Sequence, residues 1–338
     1  MSARPDFSAR LPGYAAPALP RAADPPHLQR LAGATMGTTW SLRVANPHML
    51  PLATIESAVQ GALDEVVAQM SHWEPGSFIS RFNRAPADTA HAMPDAFARV
   101  LRRALHWAAE SNGALDPSVG ALVGLWGFGP EAADTTAPPP AEALAAVRAR
   151  SGWRRLRFDA DGRLIQPGGL SLDFSGIAKG FAVDAGIEAL RALDLHDLLF
   201  EVGGELSGTG RRPGGLPWQV AVDPGNGASQ RIALSDRAVA TSGDRWHVRE
   251  HAGRRWSHTL DPRTGEPVAH ALAAVTVLHG TCMDADALAT VLTVLGPGKG
   301  LAFADRHDVA ALFAERDADG PLRLRESAAW TAAQANPT

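Results

Sequence analysis

An acidic and a hydroxyl side chain stand four residues apart at Asp286 and Thr290, within a segment of mostly apolar, helix-forming residues. Residues at positions i and i+4 lie on the same face of a helix. Both side chains offer the hard oxygen atoms that Mg²⁺ prefers, and Asp284 adds negative charge nearby. An ordinary helix start, with Asp284 as its cap and Asp286 in its first turn, explains the same residues. The spacing is common on helices, so by itself it favours the helix start over a metal site.

The segment Asp173-Phe174-Ser175-Gly176-Ile177-Ala178-Lys179-Gly180 stands where a predicted strand, Leu170 to Phe174, passes into a predicted helix, Ile177 to Leu193. The first turn of a helix has free backbone N–H groups and the positive end of the helix dipole, which together suit a pyrophosphate. Lys179 opposes that dipole, and binding to a phosphate or to Asp173 would explain its position. A tight connection that carries a solvated lysine is the alternative.

Two further residues could contact a substrate. His258 precedes a turn built on Asp261, Pro262 and Gly265, and it could act as a base. The chain has twelve histidines, however, and a lone histidine is more often structural. Trp73, between two predicted helices, offers a flat surface on which a planar ring could stack, although a core tryptophan is the ordinary expectation.

Several common nucleotide and hydrolase motifs do not occur in the sequence. Residues 203–208 do not fit the G-x-G-x-x-G pattern of a Rossmann site, and Lys299 lacks the Ser or Thr that follows the lysine of a P-loop. Neither a G-x-S-x-G nor an H-E-x-x-H sequence is present. A dinucleotide would therefore have to be held by other means.

The composition is that of an ordinary globular protein. The 338 residues are 45% hydrophobic and 20% charged, with a net charge of -4 and no basic block, which argues against nucleic-acid binding. Short runs such as Arg154-Arg155 are interpreted as solvated surface. The single cysteine, Cys282, excludes an internal disulfide and a thiolate zinc site, and we expect it to be a small buried residue.

Targeting signals are also missing from the sequence. The first thirty residues contain no apolar segment long enough for a signal peptide, and no later stretch of about eighteen apolar residues indicates a membrane span. The sequence as written therefore predicts a cytoplasmic protein that does not span a membrane.

The elements that must position these residues follow from periodicity. Residues 1–30 are predicted to form a mobile tail rich in Pro and Ala, followed by one domain over residues 31–330. Helices are predicted from Ile55 to Met70, from Phe97 to about Asn112, over Ala141 to Arg150, over Ile177 to Leu193 and over Met283 to Leu295, with a short helix near Leu301. Strands are predicted at Trp40–Val44, Leu170–Phe174, Leu198–Val202, Trp218–Val222, Ala238–Thr241, Ala274–Leu278 and Val309–Phe313, with a hairpin at Asp161-Gly162. Strands and helices do not alternate strictly, which predicts an α+β fold with largely antiparallel sheets.

Taken in order, nine segments resemble the ApbE-type FAD:protein FMN transferases over roughly Leu31 to Trp330. They are Gly33 to Thr38, Ser77 to Asn83, Gly113 to Gly120, Trp126 to Gly129, Leu172 to Gly180, Val202 to Glu205, Thr241 to Asp244, Ser257 to Gly265 and Ala285 to Thr290. One such motif would be weak evidence, but nine in the right order make chance a poor explanation.

The resemblance implies a role for individual residues. The positions matching family contacts to FAD are Met36, Trp73, Ala114, Leu115, Asp116, Asp173, Lys179 and Leu260. Asp286 and Thr290 match side-chain ligands of Mg²⁺, Gly176 matches a carbonyl ligand, and His258 matches the histidine thought to act as base. Trp73 departs from the usual Tyr, and Leu115 from the common Phe.

The resemblance also implies the reaction. An enzyme of this family uses Mg²⁺ to cleave FAD and attaches FMN through a phosphoester to a Thr or Ser of an acceptor protein, releasing AMP. The acceptors belong to membrane redox machinery, and the family often works in the periplasm. An FAD pyrophosphatase, which forms free FMN and AMP, and a non-catalytic FAD-binding protein are the alternatives.

Overall fold

The computed structural model describes residues 28–130, 137–223, 229–243, 248–251, 254–317 and 321–335. Most of the predicted tail, residues 1–27, and Asp244 lie outside these ranges. The helices are α1 (Leu52–Met70), α2 (Phe78–Asn83), α3 (Asp95–Glu110), α4 (Gly120–Leu125), α5 (Ala141–Arg150), α6 (Ala178–Arg191), α7 (Cys282–Arg306) and α8 (Ala328–Ala335), with a 3-10 turn at Trp153–Arg155. The strands are β1 (Leu28–Thr35), β2 (Thr38–Ala45), β3 (Ala90–His91), β4 (Arg157–Phe158), β5 (Leu164–Ile165), β6 (Leu198–Val202), β7 (Glu205–Thr209), β8 (Trp218–Val222), β9 (Gln230–Leu234), β10 (Arg237–Gly243), β11 (Val248–His251), β12 (Arg254–Ser257), β13 (Leu260–Asp261), β14 (Glu266–Pro267), β15 (Leu272–His279), β16 (Ala310–Glu315) and β17 (Arg323–Glu326).

Eight of the described strands form one sheet in the order β1-β2-β6-β7-β10-β15-β16-β17. Every neighbouring pair in it is antiparallel, which confirms the predicted α+β class with antiparallel sheets. β1 and β2 are joined by a two-residue turn at Met36 and Gly37, both with positive φ, as the right-handed twist of a hairpin favours. β1 begins at Leu28, so the last residues of the predicted tail pair with β2.

The main core lies between one face of the sheet and helices α1, α3, α6 and α7. The predicted periodicity of α1 is confirmed, because Ile55, Val59, Leu63 and Val66 are all buried. The other face of the sheet is covered by the β8–β9 hairpin and by α8, which bury Trp218 and Trp330. The site described below lies on the helical side, where α6 and α7 pack together.

The predicted strand Leu170–Phe174 is wrong. Its alternating apolar residues are buried, but only Ser171 makes a β-bridge, to Val119. Side-chain amides take the place of a neighbouring strand: Asn83 bonds both the N–H and the C=O of Leu172, and Gln166 does the same for Leu170. The segment is therefore extended, but it is anchored outside the sheet.

Helix α7 combines the two helices predicted after Met283. Gly296 has φ 76° and ψ 176°, so the helix breaks there, directly before Pro297. Of the described helices, α7 is the one with the length and composition of a membrane span. Most of its apolar stretch is buried inside the protein, as in the core helix of a folded domain, so it is weak evidence for a membrane span.

Candidate functional site

Helix α7 places the predicted side-chain ligands on its first turns. Thr281 caps the helix, and Asp286 and Thr290 follow one turn apart. The Asp286 carboxylate is buried, and its Oδ2 accepts a hydrogen bond of 2.9 Å from the backbone N–H of Gly180 on α6. This N–H belongs to the first turn of α6, so the carboxylate occupies the positive end of a second helix. Burial raises the pKa of Asp286, and Lys179 nearby opposes that rise.

Glycines allow α6 to approach α7 closely at this point. A Cβ atom on Gly176 would lie 2.8 Å from Thr290 Oγ1, and a Cβ on Gly180 would lie 2.2 Å from the carbonyl oxygen of Cys282. Ser242, in β10, lies on the other side of Thr290, with 3.2 Å between the two hydroxyl oxygens. The structure therefore brings together Gly176, Asp286 and Thr290, the three predicted metal ligands.

A partly buried ion pair adjoins Asp286. Lys179 Nζ lies 2.5 Å from Glu205 Oε1, and the Glu205 side chain is almost fully buried. Burial raises the pKa of Glu205 to about 7, although Lys179 lowers it. Burial lowers the pKa of Lys179, but the charges of Glu205 and Asp286 outweigh it and raise the pKa overall. Lys179 is therefore paired through its ammonium with Glu205, while about a third of its side chain remains exposed to solvent.

The predicted flavin contacts Asp116 and Asp173 lie in two adjacent loops. The N–H of Asp173 donates to the C=O of Pro117, and Asp173 Oδ1 accepts from the N–H of Ser175. Asp116 is buried beside Ala114 and Leu115, and it accepts from the N–H and hydroxyl of Ser118 and from the N–H of Trp153. Burial raises the pKa of Asp116 in spite of these bonds. In this structure the Asp116 carboxylate holds its loop against the turn at Trp153.

The predicted base, His258, lies on a third segment. It is half-buried, and its ring meets the edge of Phe128 at 6.3 Å between centroids. Leu260, two residues later, is buried against Leu122 and Val147. Arg263, in the same turn, approaches Gly113, so this segment and the loop of Asp116 border one another.

The sequence also matches the model of a known protein family. The model of the ApbE family matches residues 36–313, which is most of the chain. The chain belongs to the ApbE family. It is an enzyme of the transferase class, as are the members of the ApbE family that resemble it.

Curated relatives and solved structures agree with this assignment to the ApbE family. The chain is 35% identical over 295 residues to a FAD:protein FMN transferase of Vibrio cholerae, covering 86% of this chain and 88% of the relative. It is 36% identical over 314 residues to a protein of the same name from Haemophilus influenzae, covering 88% and 89%. The flavinyl transferase ApbE of Pseudomonas stutzeri, solved in its apo form, superposes with a TM-score of 0.84 at 37% identity, covering 90% of this chain and 96% of that one.

Two of the residues singled out in the sequence, Trp73 and Asp284, have surroundings that differ from the ordinary expectation for them. Trp73 is 58% exposed, so the core-tryptophan alternative is wrong and its indole is accessible for stacking. Asp284, by contrast, forms an ion pair with Arg103 and accepts hydrogen bonds from Trp107 and Thr281. Burial would raise the pKa of Asp284, but these partners lower it. The Asp284 carboxylate therefore pairs with Arg103 and Trp107, not with groups around Asp286. Thr281, and not Asp284 as predicted, caps helix α7.

Glu205 was not among the predicted site residues. The signal that could have revealed it is Gly203-Gly204, both with positive φ, which turn β6 into β7 and direct the next side chain inward. Its second oxygen, Oε2, is buried and has no hydrogen-bond partner in the described part of the chain. Cys282 is buried, and burial raises the pKa of its thiol, which confirms the expectation of a structural cysteine.

Proposed function

We propose that this chain is a Mg²⁺-dependent FAD:protein FMN transferase, which transfers FMN from FAD to a Thr or Ser hydroxyl of an acceptor protein and releases AMP. The observation that carries the proposal is the close packing of Thr290 against Gly176 and of Asp286 against Gly180, beside the ion pair of Lys179 and the buried Glu205. The names of the relatives support the same reaction.

The donor set fits Mg²⁺ bound with its substrate. In the described ranges, no three His, Cys, Asp or Glu side chains are grouped to hold a metal ion. Mg²⁺, however, commonly binds to one or two carboxylates together with phosphate oxygens of the substrate and water. Asp286, Thr290 and the carbonyl of Gly176 would supply the oxygen ligands of the protein. A bound cation would also compensate the charge of two buried carboxylates that share one lysine.

Mg²⁺ at these residues would neutralise the FAD pyrophosphate and the charge that develops on it during phosphoryl transfer. Lys179 would add a second positive charge close to the phosphates, and the ion pair with Glu205 would hold its ammonium in place. Trp73 offers the exposed ring for stacking on the flavin, while Met36, Ala114, Leu115, Asp116, Asp173 and Leu260 would complete the FAD site.

His258 is the proposed general base. The acceptor oxygen would attack the phosphorus of the FMN half, the bond to the AMP phosphate would break, and the acceptor proton would pass to His258. FMN would then be held in a phosphoester, and AMP would leave. If water attacks in place of the hydroxyl, the same site produces free FMN, which is the pyrophosphatase reaction.

The test follows AMP, free FMN and protein-bound FMN in one reaction. The protein is incubated with FAD and either Mg²⁺ or EDTA, with and without a co-expressed redox protein, and the products are analysed by chromatography and mass spectrometry. Transfer predicts AMP and flavinylated acceptor in equal amounts, only with Mg²⁺. AMP with free FMN and no flavinylated acceptor would identify a pyrophosphatase. If no AMP forms, the protein binds FAD without cleaving it.

Asp286→Asn provides the site-specific arm of this test, and we expect it to abolish AMP formation. Asp308→Asn is a matched control, because Asp308 is exposed and its φ of 53° is tolerated by Asn. Wild-type activity of Asp286→Asn with the same Mg²⁺ requirement would refute the metal assignment.

A further inference from the structure

An arginine-rich stretch borders the candidate site. Residues 148–163 contain six arginines and two aspartates, in a chain whose net charge is -4. Arg157 pairs with Asp88, and Arg163 pairs with Asp159 and Asp161. The other four arginines are exposed and form no ion pair among the described residues, although the charge of Arg154 acts on the Asp116 carboxylate; they are Arg148, Arg150, Arg154 and Arg155, which we name the arginine surface.

Local structure explains only part of the arginine surface. Arg148 and Arg150 end α5, where positive charge stabilises the negative end of the helix dipole. Arg154 and Arg155 lie beyond the helix, in the 3-10 turn, so the dipole does not account for them. The guanidinium of Arg154 stacks on the ring of Trp153 at 4.3 Å, which fixes it in an exposed position.

One member of the arginine surface, Arg148, lines a hollow that adjoins the site, and the other three lie within seven residues of it in the chain. A cavity of about 440 Å³ lies between the end of α5 and the turn at Pro262, and its walls include Arg148, Ser151, Gly152 and Arg263. Arg148 donates to the C=O of Arg263 at 2.9 Å, so the two walls are joined. The same two segments contact the predicted site residues, since Trp153 bonds Asp116 and Arg263 belongs to the turn that follows Leu260.

We infer that the arginine surface and its hollow are the docking site for an acidic segment of the acceptor protein. This inference rests on the proposed function, because an acceptor must reach this site with its hydroxyl. Exposed guanidinium groups that form no ion pair within the protein bind carboxylates, often through two parallel hydrogen bonds. A concave hollow receives a side chain or a short loop of a protein, whereas a bilayer offers a flat surface.

Binding of an acidic probe tests the inference without turnover. The probe is a fluorescein-labelled peptide of twelve residues rich in Glu, with a Gln-rich peptide of the same length as its control, and binding is measured by fluorescence anisotropy. The variant combines Arg148→Gln, Arg154→Gln and Arg155→Gln. The matched control combines Arg102→Gln, Arg191→Gln and Arg323→Gln, three exposed arginines elsewhere, so both variants lose the same charge.

We expect the first variant to bind the Glu-rich peptide about tenfold more weakly than the wild type, since each exposed ion pair is worth up to about 1 kcal/mol. The control variant should bind it like the wild type, and 300 mM salt should reduce the difference. Equal losses in both variants, no loss in the first, or no binding by the wild type would overturn the inference.

Two further measurements separate the other sources of binding. The Kd for FAD, measured by the quenching of flavin fluorescence on binding, should be the same in the first variant, and a raised Kd would assign these arginines to FAD instead. Sedimentation with vesicles of phosphatidylglycerol should recover little protein, and recovery that the first variant abolishes would assign the surface to a membrane. If FAD is not cleaved at all, the proposed function fails, while the peptide result still stands on its own.

Discussion

Gly180, in the first turn of α6, has no space for a side chain, and we expect Gly180→Ala to damage both stability and activity. The added Cβ would lie 2.2 Å from the carbonyl oxygen of Cys282 and 2.7 Å from the Cβ of Asp286. Neither contact can be relieved by rotating a flexible side chain, so α6 and α7 must separate by roughly 1 Å to restore an ordinary contact. Overpacking of this kind costs about 1 to 3 kcal/mol, and we expect the upper end because the obstacle is backbone.

The free energy of unfolding, measured in urea, tests this expectation. Gly61→Ala is the matched control, since Gly61 lies inside α1 with no atom near its missing Cβ. Ala should stabilise that helix by about 0.5 to 1 kcal/mol. AMP formation should fall in Gly180→Ala alone, because the displaced N–H of Gly180 holds Asp286. Equal unfolding free energies of Gly180→Ala and the wild type, with full activity, would refute the close approach of α6 and α7.

Three other predictions concern single side chains. Trp73→Ala should change the free energy of unfolding by less than about 0.5 kcal/mol relative to the wild type, because the ring is exposed. The variant should show weaker quenching of flavin fluorescence on binding, and a less stable variant with normal quenching would contradict the stacking role. His258→Ala should transfer FMN about a hundred- to ten-thousand-fold more slowly while FAD and Mg²⁺ affinity stay nearly normal, and lost FAD affinity with a normal rate of the bound fraction would refute the base role. Asp184, which accepts from the N–H groups of Cys282 and Met283, has its pKa raised by burial to about 6 from 3.8. The folded state therefore binds the proton of Asp184 more tightly than the unfolded state does. The stability that protonated Asp184 contributes at acid pH is lost as the pH rises from about 4 to about 6. Unfolding free energies across that range should show the wild type losing about 2 kcal/mol relative to Asp184→Asn, and a constant difference would contradict the shift.

Local signals predicted the elements whose partners are close in sequence. Helix α1 follows a clear apolar period, and the turn at Asp161-Gly162 joins β4 to β5 as predicted. The end of α3 is marked by Asn112 and Gly113, both with positive φ. In each of these cases the residues that decide the structure lie within a few positions of one another.

The errors concern contacts between residues far apart in the chain. The segment Leu170–Phe174 has the period of a strand, but nothing in its own sequence indicates that Asn83, 89 residues before Leu172, takes its backbone hydrogen bonds. The ion pair of Lys179 with Glu205 could not be predicted from the local sequence either, because Glu205 lies on a different element, strand β7 of the sheet. Periodicity states which face is buried, but it does not state what is buried against it.

The charges around Asp286 are better explained by ligand binding than by stability. Two carboxylates, Asp286 and Glu205, are buried beside the ammonium of Lys179, and Glu205 Oε2 has no hydrogen-bond partner among the described residues. Buried charges that are incompletely paired cost free energy, and a protein selected for stability alone would replace them with apolar residues of similar volume. A cation bound at Asp286 would offset part of that free-energy cost, so the complex would be more stable to unfolding than the protein without the cation. If Asp286 binds a metal ion as proposed, the pair of Lys179 and Glu205 would have a second consequence. While Glu205 holds the ammonium, Lys179 would not pair with Asp286, and the Asp286 carboxylate would be available to the metal ion.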